Sequence, residues 1–136
     1  MKLRRLGRTR WDVLAVCDEA ENCFVLDFLS SIDQTLAAKM LFLLENKLPE
    51  LGPLGMRSNE SKKISEHIYE LKRRPKSGAQ VRIFYFFDGQ KTIVCTNGFI
   101  KRNKLDRTAL EQAEQMRRKY FMEKESGTLK ILDPNE

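Results

Sequence analysis

The sequence predicts an α+β domain in which an antiparallel β-sheet, mixed at its edge, packs on an N-terminal helical hairpin and carries a C-terminal helix. Three observations lead there: a helical apolar period over residues 34–48, a two-residue period between Ile64 and Phe99 broken by two turn signals, and a return to helical spacing after Lys104. With 136 residues and 41% hydrophobic content, the chain can bury one sizeable core but not two. One domain over residues 1–136 is therefore expected, with its core at about 11–120 and a tail at 121–136.

Taken in order, Trp11 to Cys17 (WDVLAVC) alternates as a strand does. Phe24 to Leu29 is short and apolar, and Ser30, Ser31 and Asp33 offer N-caps for a helix from Gln34 to Lys47. Leu36, Met40, Leu43, Leu44 and Leu48 give that helix one broad buried face, and Pro49, Gly52, Pro53 and Gly55 stop it. Arg57 to Lys63 reads as a polar loop. The period then changes to two in ISEHIYELK (64–72), a strand, followed by a turn at Pro75, Lys76, Ser77 and Gly78.

VRIFYFF (81–87) is rich in β-branched and aromatic residues and stops at Asp88-Gly89, a hairpin signal, after which Thr92 to Phe99 forms a third strand. Three strands joined by short turns predict an antiparallel meander, apolar enough to need a helical layer on one face. A last helix is expected from Asp106, its N-cap, to Tyr120, with Leu105, Ala109, Ala113, Met116 and Tyr120 inward. Beyond Glu123, only Leu129, Ile131 and Leu132 are available to pack, so the tail is open between an added strand and irregular chain.

Charge narrows the function. The net charge is +6, yet residues 62–107 hold twelve Lys or Arg against Glu66, Glu70, Asp88 and Asp106, a local +8 that leaves −2 for the rest. A positive field confined to one region suits a polyanionic partner, nucleic acid first; the plainer reading is a solvated face. Lys2, Arg4, Arg5, Arg8 and Arg10 have the charged start of a signal peptide, but no apolar segment of the needed length follows before Asp12 and Asp18. No apolar run approaches the roughly 18 residues of a bilayer span. A cytoplasmic protein with no membrane partner is the expectation. Cys17, Cys23 and Cys95 lack metal-type spacing, and His67 is the single imidazole, so neither a metal nor a cofactor is expected and the thiols read as reduced core residues.

The order strand, two helices, three-stranded meander, helix resembles the RelE/ParE toxin superfamily and its RelE-like fold. IYELK (68–72), VRIFYFFDG (81–89) and GFIKRNK (98–104), with FLSSID (28–33) upstream, are similar to the phage-associated HigB-like branch over about Trp11 to Tyr120. The sequence departs from that pattern with Lys72 in place of Arg, Val81 in place of Tyr and His67 in place of Gly; Lys72 keeps the charge but not the bidentate fork.

The resemblance implies a toxin of a type II toxin–antitoxin system, a ribosome-dependent mRNA endoribonuclease that cuts without metal and thereby inhibits translation. The matching basic positions are Lys72, Arg82, Lys101, Arg102 and Lys104. Cleavage by the RNA's own 2′-OH needs proton removal, charge stabilisation on the phosphorane and protonation of the leaving oxygen, all within reach of cationic side chains. Arg82, set in an apolar strand, is the expected phosphate-charge stabiliser facing an open site, with an ion pair to Glu70 as its structural alternative. Lys101, beside other cations, is the expected proton-transfer group. Strand parity sets His67 opposite Lys72, which favours a structural role. Arg73, Arg74 and Lys76 are candidate RNA-phosphate contacts, and Tyr85 a candidate base-stacking ring against the alternative of a core residue.

The same resemblance implies two partners, a cognate helix-turn-helix (HigA-like) antitoxin and the ribosome with its messenger RNA. Two other readings stay open: a ParE-like DNA gyrase inhibitor, and a catalytically inert nucleic-acid-binding phage or regulatory module.

Overall fold

The computed structural model describes residues 1–57, 60–73, 80–101 and 106–133. The chain opens with two strands, β1 (Lys2–Arg8) and β2 (Asp12–Cys17). Helices α1 (Phe24–Ser30) and α2 (Gln34–Phe42) follow, and α2 runs through a π-helical turn (Leu43–Lys47) into α3 (Leu48–Leu51). Then come β3 (Ser61–Lys63), β4 (Tyr69–Arg73), β5 (Gln80–Asp88), β6 (Thr92–Lys101), α4 (Arg107–Ser126) and β7 (Lys130–Leu132). The seven strands form one mixed sheet in the order β3-β4-β5-β6-β2-β1-β7.

The expected meander is present, since β4, β5 and β6 pair antiparallel. The expected architecture around it is not. The sheet does not pack on an N-terminal helical hairpin, because the chain begins with two strands that enter the sheet and the helices come only afterwards. Nor is the sheet antiparallel with a mixed edge: β2 runs parallel to β6 in its interior and β7 runs parallel to β1. The basic N-terminal run had no strand assigned to it, yet it forms β1: its Leu3 is fully buried, while Arg5 pairs with Asp12 at 2.8 Å and with Asp133 at 2.5 Å.

Two further boundaries differ. ISEHIYELK is not one strand: Ile64 and Ser65 each donate a backbone N–H to Ile68 O, turning the chain between β3 and β4. His67 therefore sits exposed in a turn beside Glu66 instead of opposite Lys72. The tail resolves as a longer α4 ending at Gly127, whose left-handed φ of 73° suits glycine at a helix C-terminus, followed by the edge strand β7. The two expected N-caps do act: Asp33 accepts from Leu36 N–H and Asp106 from Ala109 N–H.

Both faces of the sheet are covered. On one, Val25, Leu29, Met40, Leu43, Leu44 and Leu48 pack against Leu71, Val81, Ile83, Tyr85, Ile93 and Cys95. On the other, Ala109, Ala113 and Tyr120 of α4 pack against Leu14, Val16, Phe84, Phe86, Val94 and Phe99. This explains why VRIFYFF is apolar at every position but Arg82: β5 is buried on both sides, as central strands of covered sheets are.

Candidate functional site

Register decides which charges meet. Lys72 of β4 stands opposite Arg82 of β5, Arg82 opposite Phe99 of β6, Gln80 opposite Lys101, and Lys62 of β3 opposite Glu70. Side chains two residues apart share a face, so Glu70, Lys72, Gln80 and Arg82 lie on the α4 side of the sheet with Phe84. A strict alternation along β6 from Val94 would turn Lys101 to the other side. A β-bulge prevents that: the pairing shifts between Ile83 and Tyr85, whose partners are Gly98 and Cys95, so one extra residue of β6 is accommodated at Thr96 and Asn97.

Side-chain bonds hold the bulge. Thr96 Oγ1 donates to Asn97 Oδ1 at 2.7 Å, and Asn97 Nδ2 donates to Ala109 O at 3.1 Å and to Gln112 Oε1 at 3.4 Å. After it, Phe99 faces α4 and joins its core, and Lys101 follows with the same parity. Gly98 then faces α1, so close to the Phe28 ring that a Cβ would stand 2.3 Å from it.

Arg82 is only 4% exposed and Glu70 only 1%. Arg82 Nε lies 3.6 Å from Glu70 Oε1, and its Nη2 donates to Gln80 Oε1. The guanidinium is thus a buried, partnered cation, which matches the ion-pair alternative weighed for it rather than a cation open to solvent. Glu70 Oε2 is buried with no hydrogen-bond partner among the described residues, an unsatisfied acceptor of the kind that native structures keep to few sites.

Lys72 carries a perturbed proton. Its partial burial disfavours the ammonium, Arg82, Lys62 and Lys101 add repulsion, Glu70 opposes them, and the result is a pKa below the usual lysine range. The sequence places the proton-transfer role on Lys101; the structure adds Lys72 as a second candidate, because neighbours on adjacent strands, which the sequence does not display, crowd its amine. Lys62, which no sequence argument singled out, belongs to the same field because β3 sets it opposite Glu70.

The other expected residues divide as follows. Tyr85 is fully buried on the helical side, stacked on Tyr69 at 5.6 Å and bonded through its hydroxyl to Ser61. No base can stack on it, and it is a core residue. Arg73 lies on that helical side too, opposite in parity to Lys72. Arg74, Lys76, Arg102 and Lys104 lie outside the described residues. Among the described residues no group of three His, Cys, Asp or Glu side chains could hold a metal ion, and no helix is long and apolar enough to cross a membrane.

The assembled feature is therefore a row of cations contributed by four successive strands, Lys62, Lys72, Arg82 and Lys101, around one buried carboxylate. Residues 27–118 match the family described as phage derived protein Gp49-like (DUF891). This covers more than half of the chain and all four cations, and the protein belongs to that family, a RelE/toxin-like one. No curated protein matches the chain.

Proposed function

We propose that the protein is the toxin of a type II toxin–antitoxin system, an endoribonuclease of the HigB-like kind that cuts messenger RNA on the ribosome. The observation that supports this reading best is the convergence of Lys72, Arg82 and Lys101 from three strands onto one face, with a β-bulge serving to bring the third into parity. Membership of a toxin-like phage-derived family supports the coarser half of it.

In this mechanism Lys72, whose proton is already loosened, removes the proton from the attacking 2′-OH. Arg82, buried and held by Glu70 and Gln80 opposite Lys72, does not touch the RNA; its charge acts from within the sheet, adding to the positive field in which the phosphorane forms. Lys101, as its ammonium, gives a proton to the leaving 5′-oxygen as the P–O5′ bond breaks. Glu70 is a positioning residue, its carboxylate fixing the guanidinium instead of touching RNA. The helix-turn-helix antitoxin and the ribosome remain the proposed partners, and the cytoplasm the proposed location.

The near-complete burial of Arg82 supports a second reading, an inert module that binds nucleic acid through Lys62, Lys72 and Lys101 while the Arg82–Glu70 pair only supports the sheet. Incubating the protein with programmed ribosomes separates the two. The nuclease yields truncated messenger RNA, and Lys72→Ala or Lys101→Ala abolishes the cut without unfolding the protein. Intact messenger RNA despite tight binding favours the inert module, and gyrase inhibition without either favours the ParE-like alternative.

A further inference from the structure

On the face opposite the cationic row, three aromatic rings meet beside β3. Trp11 precedes β2, Tyr69 opens β4 and Phe87 is the last residue but one of β5; the Phe87 ring centroid lies 5.9 Å from that of Trp11 and 4.7 Å from that of Tyr69. With Pro53, Ser61, Lys62 and Lys63 they wall a cleft of about 260 Å³. That is slightly below the roughly 300–1,000 Å³ of drug-sized sites, so its occupant is the size of a single flat ring system.

The cleft is built before anything enters it. Trp11 N–H donates to Pro49 O at 2.8 Å, and its indole lies against Gly52, where a Cβ would stand 2.3 Å from Nε1. A ligand therefore spends little free energy on ordering the wall. Lys62 and Lys63 are both exposed, and Lys63 Nζ lies 6.0 Å from the centroid of the Tyr69 ring. Ring faces with ammonium groups at their rim suit a planar π-system carrying an anion.

We infer that this cleft binds one unpaired nucleotide of single-stranded RNA, its base against Trp11, Tyr69 and Phe87 and its phosphate on Lys62 and Lys63. Lys62 supplies the connection to the cationic row, because it borders the cleft and its charge also acts on Lys72. An RNA strand crossing the β3 edge thus meets both places. The inference rests on RNA being the proposed partner but does not require that it be cut.

Trp11 is the single tryptophan, so its emission reports the cleft directly. Titration with a fluorescently end-labelled, 2′-O-methylated single-stranded oligonucleotide should quench Trp11 in step with the anisotropy of the label. Lys62→Ala with Lys63→Ala, and separately Tyr69→Leu, should weaken the quenching by about tenfold, within the range for losing one stacked base, with circular dichroism unchanged. Lys101→Ala should stop cleavage of messenger RNA on programmed ribosomes, while at saturating oligonucleotide the quenching should still reach its full extent. Binding by anisotropy without quenching overturns the inference, as do equal quenching by duplex RNA, quenching by an acidic peptide in place of RNA, and no binding at all. Cleavage without quenching sinks the cleft alone, and quenching without cleavage sinks the nuclease alone.

Discussion

Glu70 Oε1 and Arg82 Nε lie 3.6 Å apart on neighbouring strands, diagonal to each other, with both residues nearly sealed from water. Removing one member of such a pair leaves an uncompensated charge, which costs about 3–5 kcal/mol, whereas replacing both by apolar groups is often neutral. Glu70→Gln is therefore expected to lower unfolding free energy in urea by about that amount, and Glu70→Met with Arg82→Met to recover most of it. A Glu70→Gln loss near zero would show that the guanidinium is held without the Glu70 charge.

The second expectation concerns the pH dependence of cleavage. Lys72 has a folded pKa below its ordinary 10.5, so the unfolded chain binds more protons than the folded one between the folded value and 10.5. Stability rises with pH across that window and no longer depends on this group below it. If Lys72 is the base, single-turnover cleavage rises through the same lowered value, and Lys72→Arg, permanently protonated, removes the rise. A rate that climbs with pH equally in Lys72→Arg assigns proton removal elsewhere.

The bulge gives a third. Asn97 is buried and spends its amide on Ala109 O and Gln112 Oε1, so Asn97→Ala leaves the Ala109 carbonyl without that donor. A loss of about 1–3 kcal/mol in thermal unfolding is expected. RNA affinity should fall with it, because Lys101 owes its facing to the same two residues. Unchanged affinity in a folded Asn97→Ala protein would mean that the backbone alone keeps the bulge.

Acid stability supplies the fourth. Burial works to raise the pKa of Glu60, but Lys47 Nζ, 2.7 Å from Oε1, and the Arg57 N–H hold it below the ordinary 4.5. The stabilisation is complete above 4.5 and is lost as pH falls through the lowered folded value. Glu60→Gln should flatten that part of the stability profile measured by urea unfolding between pH 5 and 2, a range that brackets the ordinary carboxylate value. A profile as steep as that of the parent protein would place the acid-labile group elsewhere.

Sequence reasoning captured what local chemistry encodes. Asp33 and Asp106 were legible as caps because a carboxylate before a helical period has few other uses, and Asp88-Gly89 was legible as the turn between β5 and β6. Long-range pairing was not. β3 is three polar residues, SKK, with no period to detect, and β1 hides its buried Leu3 among arginines. The bulge at Thr96 and Asn97 is bordered by Gly98, a residue that marks bulges in strands, but counting alternation along β6 does not use that signal and so misses the change of parity. Arg82 and Lys72 were found from composition and resemblance, but their environments depend on neighbouring strands and became readable only with the register.

The parallel pairings of β2 with β6 and β1 with β7 join segments far apart in the chain. During synthesis β1 and β2 can form their own ribbon early, but its two outer edges stay open until residues 92–95 and 130–132 have emerged. Such late closure slows folding and leaves bare strand edges available to other chains in the interval. A protein wired this way gains from a helper that shields those edges while translation finishes.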